Sequence, residues 1–412
     1  MTLDIAIVAV GYNRPRALKR LLDSLNQADY DRKVRLYISI DGGGAAEVAK
    51  VAEEHPWDFG PKEVIRHQRN LGLREHLFKC GDLSRRHDAL IVLEDDLAVS
   101  PRFYAFALDA YGFYQHHENI AGISLYHHAY NETAQFPFVP LSDGSDVYFM
   151  QHASSLGQMF TRSQWALFRQ WYNAKTHAED QQSQQLPPNI RFWPESSWKK
   201  HFIDYMVAQD LYFVFPRVSF TTVFGDTGTH IRVRETFLQV PLCYGRRKYA
   251  FSAFKDAWAV YDTYCEIIPD RLKRLCPDLR DADFEVDLYG MKPERALRFK
   301  RIISSRACKA PERQYGRERK PHEENLIHPV PGEYFSYGRK ECFRNPPYLT
   351  KLLKCHEKRE LAYWYPIREY HFYRHKLLST HKNPFSLSDP LFLLRKFLTM
   401  FHFAFRYVRG KD

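Results

Sequence analysis

The sequence predicts an α/β protein with a mostly parallel sheet flanked by helices. Three observations predict it. Apolar runs of strand length alternate with segments of helical period over the first hundred residues. Three of those runs end in polar or acidic residues, at Asn13, at Asp41 and at the triplet Glu94-Asp95-Asp96. In parallel sheets ligands bind beyond the carboxyl ends of the strands, so such endings converge on one site. Finally, 412 residues with 44% hydrophobic content suffice for one large domain and a smaller one.

The elements follow in order. "DIAIVAVGYNRP" is a buried strand that runs into a turn. "RPRALKRLLDSLNQ" places Leu18, Leu21, Leu22 and Leu25 on one helical face. "VRLYISIDGGG" is a second strand that ends in Asp41 and a glycine turn, and "AAEVAKVAEEH" is the next helix. "KEVIRHQRNLGLREHLFKCGDL" gives a short strand, a loop and a helix. "ALIVLEDDL" is the fourth strand. From about residue 245 the alternation stops. The reading there is a mainly helical accessory region, 246–412, after a first domain, 1–245. "ISSRACKAPERQYGRERKPHEEN" reads as an exposed linker. The last stretch, from Asp389, carries Arg395, Thr399, His402, Arg406 and Arg409 as a polar stripe on an otherwise apolar helix. That pattern suits the headgroup region of an anionic membrane or, equally, a helix docked on the protein's own core.

Composition narrows the partners. The net charge of +11 favours an anionic one. No nucleic-acid motif or basic repeat accompanies it, so nucleic acid is not expected. The seven cysteines form no C-x-x-C pair, which argues against a disulfide framework or zinc site and for a reducing compartment. The amino terminus lacks a basic leader, and no apolar stretch is long enough to span a bilayer. The expectation is a cytoplasmic protein able to lie on the inner face of a membrane.

The acidic triplet carries the chemistry. Carboxylates just past a buried strand can hold Mn²⁺ or Mg²⁺, hard cations that bridge readily to substrate phosphates. The bland alternative is a solvated acidic turn. It must then also explain why the triplet ends a parallel-strand pattern.

At this point the chain resembles a known family. "VLEDDLAVSPRFYAFALDAY" is similar to the metal-binding segment of N-acetylglucosaminyltransferase I and related bacterial sugar transferases. "AIVAVGYNRPRALKRLLDSL", "LYISIDGGGAAEVAKVAEEH", "NLGLREHL" and "PRVSFTTVFGDTGTHI" resemble further family segments, in the same order, over roughly residues 3 to 235. The resemblance implies a GT-A fold, which is Rossmann-like, and a metal-dependent glycosyltransferase. The enzyme would move a hexosyl or N-acetylhexosaminyl group from a nucleotide-sugar donor, expected to be a UDP-sugar. The acceptor would be a glycan or lipid-linked molecule in cell-surface polysaccharide synthesis. It also implies roles: Asp96 as direct metal ligand, Glu94 and Asp95 facing the donor's ribose and sugar, and Asp41 reading the nucleobase. Asn13, Arg14 and Arg74 would lie along the nucleotide or diphosphate. A charge at a helix start is the plain alternative for Arg14. His230, in the loop "GDTGTHI", is a further metal-ligand candidate, although a lone loop histidine is more often simply polar.

One position departs from the pattern. The family places a catalytic base after a tryptophan, as Trp-Asp, whereas Trp198 is followed here by Lys199 and Lys200. An inverting transfer needs a carboxylate or histidine to take the acceptor's proton. Asp204, one turn beyond Lys200, is the first candidate and Glu195 the second. The departure leaves open an inactive glycan- or nucleotide-binding relative, and a retaining mechanism.

Overall fold

Strand β1 (Ile5–Gly11) is buried at all seven of its positions and supplies both faces of the core. Ile5, Ile7 and Ala9 point into one apolar layer, and Ala6, Val8 and Val10 into the other. Such two-sided burial is the mark of a parallel strand covered by helices. The computed structural model describes residues 3–175, 185–226, 237–354 and 358–365. Helix α1 (Pro15–Asn26) starts on Pro15, whose fixed φ suits a first helical position. It buries Leu18, Leu21, Leu22 and Leu25, as the spacing predicts, at roughly 1.5–3 kcal/mol each. Strand β2 (Leu36–Ile40), α2 (Ala46–Glu54), β3 (Lys62–Arg66), α3 (Gly72–Asp82) and β4 (Ala89–Glu94) complete the predicted series.

The chain continues through β5 (Leu97–Val99), α4 (Phe103–Tyr114), β6 (Ile120–Ser124) and the short pair β7 (Tyr130–Asn131) and β8 (Phe136–Pro137). Then come β9 (Val147–Met150), β10 (Gln158–Thr161), α5 (Arg162–Ala174), α6 (Pro188–Arg191), α7 (Trp198–Ala208), β11 (Tyr212–Pro216), β12 (Thr221–Val223) and β13 (Val260–Tyr261). Helix α5 opens with a full capping box: the Thr161 hydroxyl accepts from Gln164 N at 3.1 Å and Gln164 Oε1 accepts from Thr161 N at 3.0 Å.

Nine strands form one sheet in the order β13-β9-β11-β6-β10-β4-β1-β2-β3. Pairing is parallel at β13–β9, β11–β6, β4–β1, β1–β2 and β2–β3, and antiparallel at the other three junctions. Residues of α1, α2 and α4 pack on one face, and residues of α3, α5 and α7 on the other. The predicted mostly parallel α/β architecture is therefore the observed one. A separate antiparallel ribbon, β5 with β12, stands beyond the sheet and joins Leu97 to Val223.

Two features of the C-terminal half add to the sequence reading. The mainly helical character does not extend through residues 284–339. There β14 (Phe284–Asp287), β15 (Arg301–Ser304), β16 (Arg313–Tyr315) and β17 (Phe335–Arg339) form a sheet in the order β14-β15-β17-β16. These strands are three to five residues long and broken by charges, too short for a periodicity to register. The stretch read as a linker lies partly inside this fold. Arg306 is buried and pairs with buried Asp287 at 2.8 Å, and Glu323 accepts from the Tyr261 hydroxyl at 2.7 Å. The chain parts into compact units at 352/353, and β13 adds part of the segment after 245 to the large sheet. The second unit, 353–412, contributes the helix Lys358–Trp364 to the described residues, and the predicted amphipathic helix from Asp389 lies outside them. No helix among the described residues is long and apolar enough to cross a membrane.

Candidate active site

β4, β1 and β2 are adjacent and parallel, so their carboxyl ends open on one edge. That edge gathers Asn13 and Arg14 after β1, Asp41 after β2, and Glu94, Asp95 and Asp96 at the end of β4. Arg14 and the triplet are in direct contact. Arg14 Nη2 donates to Asp95 Oδ1 and, at 3.2 Å, to Asp96 Oδ2. Burial works against the Arg14 charge, but Asp95 and Asp96 outweigh it and raise its pKa. Asn13 is exposed at the same rim.

Asp41 is buried and already at work in the fold. Its carboxylate accepts from the backbone N–H of Gly42 (2.9 Å), Leu71 (2.8 Å) and Gly72 (3.1 Å). Leu71 and Gly72 open α3, which has no side-chain cap from its own N-cap residue. Asp41 therefore satisfies orphan donors from across the sheet. Gly72 sits at φ +74°, a conformation that an L side chain rarely adopts. In the loop after Asp41, a Cβ on Gly44 would lie 1.9 Å from the Tyr12 carbonyl oxygen, so only glycine lets the β1 and β2 turns meet.

The acidic triplet is electrostatically crowded. Glu94 keeps some solvent contact at the rim but is set deep in the protein mass. Burial first, then Asp96 and Asp95, push its carboxyl up to about 8. Burial pushes Asp95 up to about 6 against the pull of Arg14. Because folding raises both carboxyls, their stabilising contribution is complete below their unfolded values and is lost as pH rises through 6 and 8. The melting temperature in metal-free buffer is expected to fall between about pH 5 and pH 8. Glu94→Gln should flatten that slope, and an unchanged slope would contradict the crowding.

The remaining candidates fall elsewhere. Arg74 Nη1 donates to the Glu195 carbonyl at 2.7 Å, next to His201 Nε2, which lies 3.0 Å from the same oxygen. The Glu195 side chain is 70% exposed and meets the Lys200 ammonium. Burial alone would raise its pKa, but the hydrogen bond and charge of Lys200 hold it below the ordinary value. Asp204 is buried and pairs with Lys175 at the end of α5, while its Oδ1 has no partner among the described residues. Helical side chains lean toward the N-terminus, and Lys200 reaches back to Glu195 and to the Trp193 carbonyl at 3.2 Å. Trp198 is buried among Leu77, Val92, Gln158, Phe160 and Trp165. His230 lies outside the described residues.

Three groups escaped the sequence reading. Lys199, taken there only as an obstacle to a base, extends over the Trp193 ring at 4.5 Å and lies 3.8 Å from Glu132. Its charge favours ionised Glu94 and opposes protonation of His128 and His152, whose rings are 5.0 Å apart. Burial, the larger cause, brings His128 down to about 4 and His152 well below the ordinary histidine range. Arg20 on α1 pairs with Asp226 and stacks on Phe224 at 4.0 Å, and Phe224 N donates to the Asp96 carbonyl at 2.9 Å. Apart from Lys199 over Trp193, these contacts join segments far apart in the chain, so no local pattern announces them.

Among the described residues no group of three or more His, Cys, Asp or Glu side chains is arranged to hold a metal ion alone. Asp95 Oδ1 and Asp96 Oδ2 nevertheless converge on one Arg14 nitrogen. Two hard oxygen donors that meet at a point fit a divalent cation whose other ligands are phosphate and water.

No protein-family model matches this chain. No curated protein matches it either. Among solved structures it overlaps the mannosyltransferase PcManGT from Pyrobaculum calidifontis, solved with GDP-Man and Mn²⁺, at 14% identity and TM-score 0.29 over 40% of this chain and 46% of that one. It overlaps S. aureus TarS 1–349 in complex with UDP at 10% identity and TM-score 0.34 over 53% of this chain and 60% of that one. For S. aureus TarS itself the identity is 10%, the TM-score 0.33 and the coverage 53% and 36%. The chain thus spans less than two thirds of each of these structures, and each likeness is partial and remote.

Proposed function

We propose that this chain transfers a sugar from a nucleoside diphosphate donor, a UDP-sugar, to a glycan or lipid-linked acceptor. The observation that carries the reading is the convergence of Asp95 and Asp96 on one cation at the carboxyl end of β4, beside the Asp41 loop. Asp96 and Asp95 would hold a divalent metal together with the donor's phosphates. Such a metal neutralises charge on the departing diphosphate. Arg14 and Asn13 border the same opening and suit the diphosphate and ribose. Arg74 orders the Glu195 turn against α3, beside the nucleotide-facing loops.

Asp41 suits a uracil edge in a specific way. Its Oδ1 accepts two backbone N–H groups and its Oδ2 one, which leaves Oδ2 an acceptor site for the imide N–H of uracil. Guanosine diphosphate should therefore bind more weakly than uridine diphosphate by about 1–3 kcal/mol. Calorimetry with Mn²⁺ checks this, and equal affinities would remove the nucleobase role. The reading as a whole is tested with a panel of nucleotide sugars, followed by thermal shift with Mn²⁺ and with chelator. A chain that no nucleotide stabilises in either condition is not a nucleotide-sugar enzyme. Binding without donor hydrolysis or transfer would select the second reading, an inactive relative, which Lys199 at the family's base position favours.

A further inference from the structure

The arginine at the start of α1 has a consequence for how the acidic motif takes up metal. Arg14 is held in place from both sides. Pro15 follows it and narrows its backbone choices, and β1 anchors the residues before it. Its guanidinium bridges the two aspartates through one nitrogen, Nη2. A divalent cation bound by Asp95 Oδ1 and Asp96 Oδ2 would sit where that nitrogen now lies. Two cations cannot share hydrogen-bonding distance without a new anion between them.

We propose that Arg14 is a built-in stand-in for the metal: it occupies the Asp95–Asp96 pair in the donor-free protein, so the pair accepts a divalent ion only together with a diphosphate that draws Arg14 away. The inference rests on the reading of Asp96 as a metal ligand. A diphosphate is the right lure, because the planar guanidinium pairs with phosphate oxygens through parallel hydrogen bonds. The exchange keeps every charge paired. The carboxylates trade a monovalent for a divalent partner, and Arg14 trades carboxylate for phosphate. The side chain is one-quarter exposed, so it can turn outward without disturbing the core. Metal and donor are thereby bound in concert, and free metal alone leaves the site closed.

The test is Mn²⁺ uptake by the full chain, with and without UDP, read as loss of the free-ion paramagnetic resonance signal beyond that in protein-free samples with the same UDP. Wild-type protein is expected to bind Mn²⁺ roughly tenfold more tightly when UDP is present. Arg14→Gln should bind Mn²⁺ alone roughly tenfold more tightly than wild type and gain less from UDP than wild type does. Arg14→Lys, whose single ammonium cannot span both carboxylates as well, should fall between them and guards against misfolding of the first variant. Mn²⁺ should also raise the melting temperature of Arg14→Gln more than that of wild type. Equal Mn²⁺ affinity of wild type and both variants, with Mn²⁺–UDP binding intact, overturns the inference and leaves the site reading standing. Wild-type protein that takes up no Mn²⁺ even with UDP overturns both.

Discussion

Asp96→Ala is expected to weaken Mn²⁺-dependent binding of UDP by at least about a hundredfold and to abolish transfer. Asp96 is the partly exposed member of the pair that meets Arg14, and its carbonyl is tied to Phe224 N at 2.9 Å. The side chain can therefore be removed without loosening the backbone that presents it. Asp95 is buried, so Asp95→Ala should cost stability as well as donor affinity. Isothermal calorimetry of UDP in Mn²⁺ and in chelator separates the two effects. Full transfer by Asp96→Ala in saturating chelator would sink the metal assignment.

The second large effect concerns the proton acceptor. Glu195→Gln is expected to cut transfer by at least about a hundredfold while donor and metal binding persist. Its carboxylate is exposed and held ionised by Lys200, and its backbone carbonyl accepts from Arg74 of the helix that Asp41 caps. Asp204 has the opposite situation. It is buried, and Lys175 occupies one of its oxygens. Asp204→Asn should leave Lys175 unpaired and lower stability by about 1–3 kcal/mol, with turnover of the folded protein nearly normal. Turnover and melting temperature, measured on both variants, decide between them. Loss of turnover in Asp204→Asn with an unchanged melting temperature would make Asp204 the base. Normal turnover in both would leave the inverting mechanism without an acceptor of the proton.

The first hundred residues were legible because their signals are local and long. Leu18, Leu21, Leu22 and Leu25 define one face of α1, and Ile91, Val92 and Leu93 define a buried strand. Asp41 and the triplet were legible because parallel topology sends strand ends to one edge. The β14–β17 sheet was not legible, since its strands are short and charged, and its buried pair Arg306–Asp287 looks in sequence like solvated surface. The lysine beside Asp204 is a different one from the lysine that spacing suggests. Spacing of four residues puts Lys200 and Asp204 on one face, but it does not say which way the lysine turns. Lys199, His128 and His152 meet only in three dimensions.

The ribbon of β5 and β12 has a bearing on the order in which the protein is made. Val99 pairs with Thr221 and Leu97 with Val223, about 120 residues later in the chain. At roughly 5–20 residues per second, a ribosome takes about 6–24 s to supply the second strand after the first. Through that interval β1 to β4 can pair with one another, yet the strand just after Asp96 has no partner. A protein arrested before β12 would thus display the acidic motif on an unsupported turn, without the Phe224 bond that braces it. Nascent chains released at increasing lengths should show amide protection in β1 and β4 first and at Leu97–Val99 only once β12 has emerged. The braced form of the acidic motif, on which the proposed donor site depends, then arrives as a late and abrupt step in synthesis, well after most of the sheet has formed.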